Sequence, residues 1–89
     1  MASVHFTQNL QRHVDCPMAA VPGRTVAEVL GAVFSRNPRL KGYILDERGM
    51  VRKHMAIFVD GRGVTDRERM SDAVGEESEI YVMQALSGG

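Results

Sequence analysis

Few residues in this sequence could do chemistry, and the most suggestive stand at its end. "MQALSGG" runs through Leu86, Ser87, Gly88 and Gly89 directly after a segment that reads as a strand. Gly88 and Gly89 lack a Cβ, so they present nearly bare backbone that can thread a channel too narrow for side chains. The tip offers one reactive group, the Gly89 α-carboxylate. A carboxylate is a poor acyl electrophile because oxide is a poor leaving group. Conversion to an acyl-adenylate, at the expense of ATP, supplies a good one, and a sulfur nucleophile could then leave a thiocarboxylate. Small residues at a terminus also simply tolerate disorder, so the residues alone leave a working tail and an inert one both open.

The other candidates have plainer readings. Cys16 is the single cysteine, which excludes an internal disulfide and a cysteine metal cluster. His13 is three residues away, but no His or acid has a fixed relation to the thiol, so Cys16 reads as a buried structural residue. His5, His13 and His54 have no HExxH or paired-Cys spacing and read as surface or interface histidines. No metal site is expected. "DGRGV" lacks the Gly-Lys-Ser/Thr of a phosphate loop, so Gly61 and Gly63 read as turn glycines. Arg36, Arg39 and Lys41, then Arg48, Arg52 and Lys53, then Arg62, Arg67 and Arg69 interleave with Asp46, Glu47, Asp60, Asp66 and Glu68. That pattern reads as a solvated face, with a charged partner surface as the alternative.

These residues sit in a chain of 89, enough for one domain. Hydrophobic residues make up 44% and charged residues 25%, a globular balance. Eleven basic residues offset eleven acidic ones, so there is no bulk attraction to nucleic acid or anionic membrane. No apolar run is long enough to span a bilayer, and "MASVHFTQNL" lacks the order of a signal peptide. The expected location is cytoplasmic.

The elements that must position the candidates follow from periodicity. "SVHFTQNL" alternates Val4 and Phe6 and predicts a first strand, followed by a loop over "QRHVD". Pro17 confines the next apolar run to an edge strand, Met18 to Val21. "TVAEVLGAVFSRNP" is the clearest helix. Thr25 and Glu28 form a capping box, Val26, Val29, Leu30, Val33 and Phe34 make one apolar stripe, and Asn37-Pro38 ends it. Tyr43-Ile44-Leu45 reads as a short strand and Asp46 to Gly49 as a turn. "HMAIFVDG" predicts a strand with Met55, Ile57 and Val59 inward and Phe58 outward, then an Asp60-Gly61 turn of positive φ. "VTDRERMSDAVGEES" is polar, anchored at Val64, Met70 and Val74, with a short helical turn expected. "EIYVMQAL" is the last strand, Ile80 and Val82 inward, Tyr81 and Met83 outward. The economical architecture is α+β, a mixed sheet packed on one main helix. Phe58, Tyr81 and Met83 would then form an apolar patch beside the tail, either a docking face or a patch covered by residues 38–53.

In this order the elements resemble the MoaD/ThiS family of small sulfur-carrier proteins, which have the ubiquitin-like β-grasp fold. "IFVDG", "VGEESEIYVMQALSGG" and the helix after Pro22-Gly23 carry the resemblance. It implies a β-grasp domain over 1–86 and a Ser-Gly-Gly tail over 87–89. It also implies that an E1-like enzyme using ATP and Mg adenylates Gly89, that a sulfur donor converts it to a thiocarboxylate, and that a biosynthetic enzyme accepts the sulfur. The carrier is then a co-substrate and not an enzyme, and binds no cofactor itself. Gly88, Ser87 and Leu86 lead into the partner's site, and Phe58 and Met83 look like parts of the partner-facing surface. Family members often have prolines where this chain has Gln84 and Ala85. Residues 38–53 resemble the longer subgroup that includes carriers for cysteine biosynthesis. The "LSGG" end implies no need for proteolytic unmasking. The same activated carboxylate would also suit a ubiquitin-like modifier conjugated to lysines, and a β-grasp interaction module with an inert tail is the third class.

Overall fold

The computed structural model describes residues 1–12 and 14–84, with Asn9 described by its backbone alone. Strands β1 (Ala2–Phe6), β2 (Ala19–Val21), β3 (Met55–Val59), β4 (Arg62–Gly63) and β5 (Glu79–Gln84) form one sheet in the order β2-β1-β5-β3-β4. The central pair, β1 and β5, is parallel, with Val4 beside Ile80 and Phe6 beside Val82. The other pairs are antiparallel. The sheet is therefore mixed, as expected, and β2 lies at an edge, where the flanking prolines do not interrupt a ladder.

One face of the sheet is covered by helix α2 (Val26–Arg36). Its five stripe residues, Val26, Val29, Leu30, Val33 and Phe34, are buried in one core with Val4, Ile57, Ile80 and Val82. The Thr25 hydroxyl accepts from the Glu28 N–H at 3.2 Å, and the Glu28 carboxylate accepts from the Arg24 N–H at 3.1 Å. The reciprocal half of the capping box thus falls one residue earlier than the usual pattern. Two further N–H groups at this end find main-chain partners in the polar loop: Val26 donates to the Asp72 carbonyl and Ala27 to that of Met70. This polar segment, in which anchors and a short helical turn were expected, therefore also caps α2. Within it a single bond from Met70 N–H to the Asp66 carbonyl closes one turn, without a helix. Met70 and Val74 are buried as the expected anchors.

Two segments differ from expectation. Tyr43-Ile44 belongs to helix α3 (Pro38–Ile44), not to a strand, and only Leu45 makes an isolated bridge, to Val51. Pro38 does two jobs: it ends α2, and it occupies the first turn of α3, where a missing N–H is harmless and a fixed φ favours the helix. Leu40 and Ile44, four residues apart, then fall on one face, and both are fully buried. The sheet thus carries α3 beside the main helix. The second difference is α1 (Gln8–Gln11), a single turn where the strand and loop were expected to meet; it buries Leu10.

Candidate functional site on the open sheet face

The face of the sheet turned away from α2 carries the candidates. Strand β5 alternates as expected, with Ile80 and Val82 in the core and Glu79, Tyr81 and Met83 outward. Tyr81 is 41% and Met83 39% exposed. Register sets their neighbours: Phe58 lies opposite Tyr81, and Ala56 opposite Met83. Phe58 and Met83 are thus diagonal neighbours on one face, within reach of long side chains. Phe58 is half-buried. Its other cross-strand partner is Gly63, where an added Cβ would stand 3.7 Å from the Phe58 ring. Residues 38–53 do not close this face: Leu40 and Ile44 join the core that α2 covers, and Tyr81 and Met83 stay open.

On the other flank of β5, His5 pairs in register with Tyr81, and the two rings stack at 4.6 Å with 15° between their planes. A row His5, Tyr81, Phe58, Gly63 therefore crosses four strands. The His5 Nε2 lies 3.7 Å from a Glu79 carboxylate oxygen and has no hydrogen-bond partner among the described residues. Sequence reading placed His5 on a strand without assigning it to this row. The alternation of Val4 and Phe6 turns His5 outward, but only the parallel pairing of β1 with β5 sets it against Tyr81.

The start of β5 is held by Asp60. The hairpin between β3 and β4 turns on Asp60 and Gly61, with φ of 50° and 85°, as the positive-φ reading anticipated. Sequence reading missed what the Asp60 carboxylate does. It accepts from the Glu79 N–H at 2.9 Å and the Ser78 hydroxyl at 2.8 Å, while Ser78 Oγ accepts from the Gly75 N–H at 2.8 Å. The Glu79 N–H, then the Ser78 hydroxyl and nearby Arg62 hold the Asp60 carboxyl below its usual pKa. One side chain thus ties the hairpin, the acidic turn and the first residue of β5 together. That strand ends at Gln84, the last described residue. Leu86, Ser87, Gly88 and Gly89 themselves lie outside the described residues.

Cys16 is 2% exposed. Burial first, and then the nearby Asp15 charge, push its thiol pKa up, and its buried position agrees with the structural reading. Among the described residues no group of three or more His, Cys, Asp or Glu is placed to hold a metal ion. No helix among them is long and apolar enough to cross a membrane.

No protein-family model matches the chain, and no curated protein does. Solved structures do. A chain of the Amycolatopsis orientalis BexX/CysO complex superposes with a TM-score of 0.84 at 20% identity, over 100% of both chains. The small archaeal modifier protein 1 of Methanosarcina acetivorans gives 0.81 at 21% identity, over 99% of this chain and 95% of that one. Mycobacterium tuberculosis CysO, an antigen, gives 0.82 at 15% identity, over 97% of this chain and 100% of that one. At these identities the likeness is one of fold, and with the mixed five-stranded sheet and its covering helices it establishes that this chain has the ubiquitin-like β-grasp fold.

Proposed function

We propose that this protein is a sulfur carrier, and that Gly89 is its working residue. In the proposed cycle the Gly89 carboxylate attacks the α-phosphate of ATP·Mg in an E1-like partner and releases pyrophosphate. The acyl-adenylate so formed is attacked by a sulfur nucleophile, which expels AMP and leaves a C-terminal thiocarboxylate. A biosynthetic enzyme then takes the sulfur. The partner supplies the catalytic groups; this chain supplies the acyl group and a surface by which to hold it. On this reading Phe58 and Met83 dock the domain, while Leu86, Ser87 and Gly88 run into the partner's active site. Cysteine, molybdopterin and thiamin biosynthesis are the candidate destinations for the sulfur.

The observation that carries the reading is the placement of β5. It lies at the centre of the sheet between β1 and β3, its outward Tyr81 and Met83 form an exposed apolar strip beside the partly buried Phe58, and its sequence continues to Gly88 and Gly89. A docking strip beside an exit strand suits a protein that must be gripped while its end is processed. The full-length fold likeness to CysO supports the carrier reading. The likeness to small archaeal modifier protein 1 favours a second reading, a protein modifier joined to lysines through the same glycine.

ATP–pyrophosphate exchange with the cognate adenylating enzyme tests the shared first step. The chain should support exchange, and a variant lacking Gly88 and Gly89 should not. Equal exchange by the truncated chain would remove Gly89 from the mechanism. Lysine-linked adducts in the complete reaction, in place of a thiocarboxylate, would favour the modifier.

A further inference from the structure

A concavity that does not involve Phe58, Tyr81 or Met83 lies on the helix side beside the β2 edge. It has a volume of about 720 Å³, within the range of about 300–1,000 Å³ usual for small-molecule sites. Phe6, Val14, Cys16, Val33 and Leu40 line it, all buried against the core. Met18 lines it too and is 58% exposed, an adaptable thioether at the mouth. The wall is tied in place where the Asn37 amide donates to the Asp15 carbonyl at 2.6 Å.

The charges on the lining are unequal. Arg36, in the last turn of α2, and Arg39, in the first turn of α3, both line the groove and both are exposed. Neither makes an ion pair among the described residues, where the one such contact is His5 with Glu79. Asp15 is the single acid on the lining. The Cys16 thiol, kept protonated by burial, adds no charge. Two guanidinium groups standing beside an apolar floor match an anionic head on an apolar body, since a guanidinium fork fits a carboxylate or phosphate.

We propose that this groove binds a small amphiphile with one anionic end, its apolar body against Met18, Ala19 and the open edges of Phe6 and Val14, and its head against Arg36 and Arg39. Carboxylate and phosphate heads share this chemistry. The lining shares no residue with the strip formed by Phe58, Tyr81 and Met83.

The test is a methyl NMR titration of the full chain with four probes: dodecanoate, dodecyl phosphate and dodecyltrimethylammonium, each below its micellar concentration, and dodecan-1-ol below its solubility limit. Saturable shifts at the Val14, Val33 and Leu40 methyls are expected with at least one anion. That anion should bind at least about tenfold more tightly than the cation, the scale of a pair of exposed charge contacts. The ratio of the two anions identifies the head. An Arg36→Ala/Arg39→Ala variant, altered at exposed positions only, should lose about the same factor for the anion while its affinity for dodecan-1-ol stays unchanged. The proposal is overturned if neither anion gives saturable shifts in the groove. It also fails if the cation binds as tightly as the anions, or if the double variant binds the anions like the parent.

Discussion

Replacing Phe58 by Asp should cripple docking and leave the domain folded. Phe58 is half-buried in the free protein, flanked by Tyr81 on β5 and Gly63 on β4. Full burial of a Phe side chain is worth about 1.5–3 kcal/mol, and at most about a third of Phe58 is open, so the part left for a partner contributes up to about 1 kcal/mol. An aspartate in its place would also put an unpaired carboxylate against an apolar surface, which adds at least about 1–3 kcal/mol. The two together predict a loss of about 2 kcal/mol, or roughly 30-fold in Kd. The domain itself loses the buried part of the ring and the Tyr81 pairing, about 1–3 kcal/mol in all. That lowers Tm by roughly 4–24 °C for a domain of this size. Calorimetric titration against the adenylating enzyme reads the first quantity and a circular-dichroism melt the second. Phe58→Ala, without the charge, should weaken binding by up to about fivefold, on the same area estimate. A folded Phe58→Asp protein that binds within twofold of the parent would refute the assignment of this face.

Three further predictions concern the scaffold. Leu40→Ala removes a fully buried side chain from α3 and should destabilise by about 2–5 kcal/mol in urea titration; less than 1 kcal/mol would mean that α3 does not pack as described. Gly23 has a φ of 153°, and a Cβ added there would stand 2.7 Å from Val29 Cγ2 and 2.8 Å from the Val29 nitrogen. Gly23→Ala should therefore cost more than about 1 kcal/mol, where Gly31→Ala, in open space in mid-helix, should stabilise by about 0.5–1 kcal/mol. Asp60, Asp66 and Asp72 all have pKa values lowered, chiefly by backbone N–H donors: Glu79 for Asp60, Arg69 for Asp66 and Thr65 for Asp72. Because the folded pKa values lie below the unfolded ones, their stabilisation is fully present above the unfolded carboxylate pKa of about 3.9 and is lost as pH falls through the folded values. Denaturation midpoints should thus be flat near neutral pH and drop below about pH 4, with a shallower drop in Asp72→Asn.

The faces of the strands were legible because alternation reports which side of a strand is buried. Val4 and Phe6, Met55 and Ile57, and Ile80 and Val82 all point to the core as their spacing requires. The α2 stripe and the Asp60-Gly61 turn were legible for the same local reasons. Partners across the sheet were not, because alternation assigns a face but not a neighbour; the parallel β1–β5 pairing and the His5–Tyr81 stack follow from tertiary register. Helix α3 was obscured by the apolar triplet at its end and by Pro38, which signals a stop and a start alike. Asp60 was read for its turn and as surface charge, and its carboxylate's role was hidden because its main-chain partner, Glu79, lies 19 residues away. The outward placement of Phe58, Tyr81 and Met83 was legible in the same alternation, while the most important proposed members of the site, Gly88 and Gly89, lie outside the described residues.

The central claim is tested most directly by the intact mass of this protein, first as purified, to establish Gly89 as its C-terminal residue, and then after reaction with its adenylating enzyme, ATP·Mg and a sulfur donor. The carrier account predicts exchange of one oxygen for sulfur, located by fragmentation at Gly89 and reversed when the sulfur acceptor is added. An unchanged mass with a partner shown to be active, or sulfur located anywhere but Gly89, would contradict it.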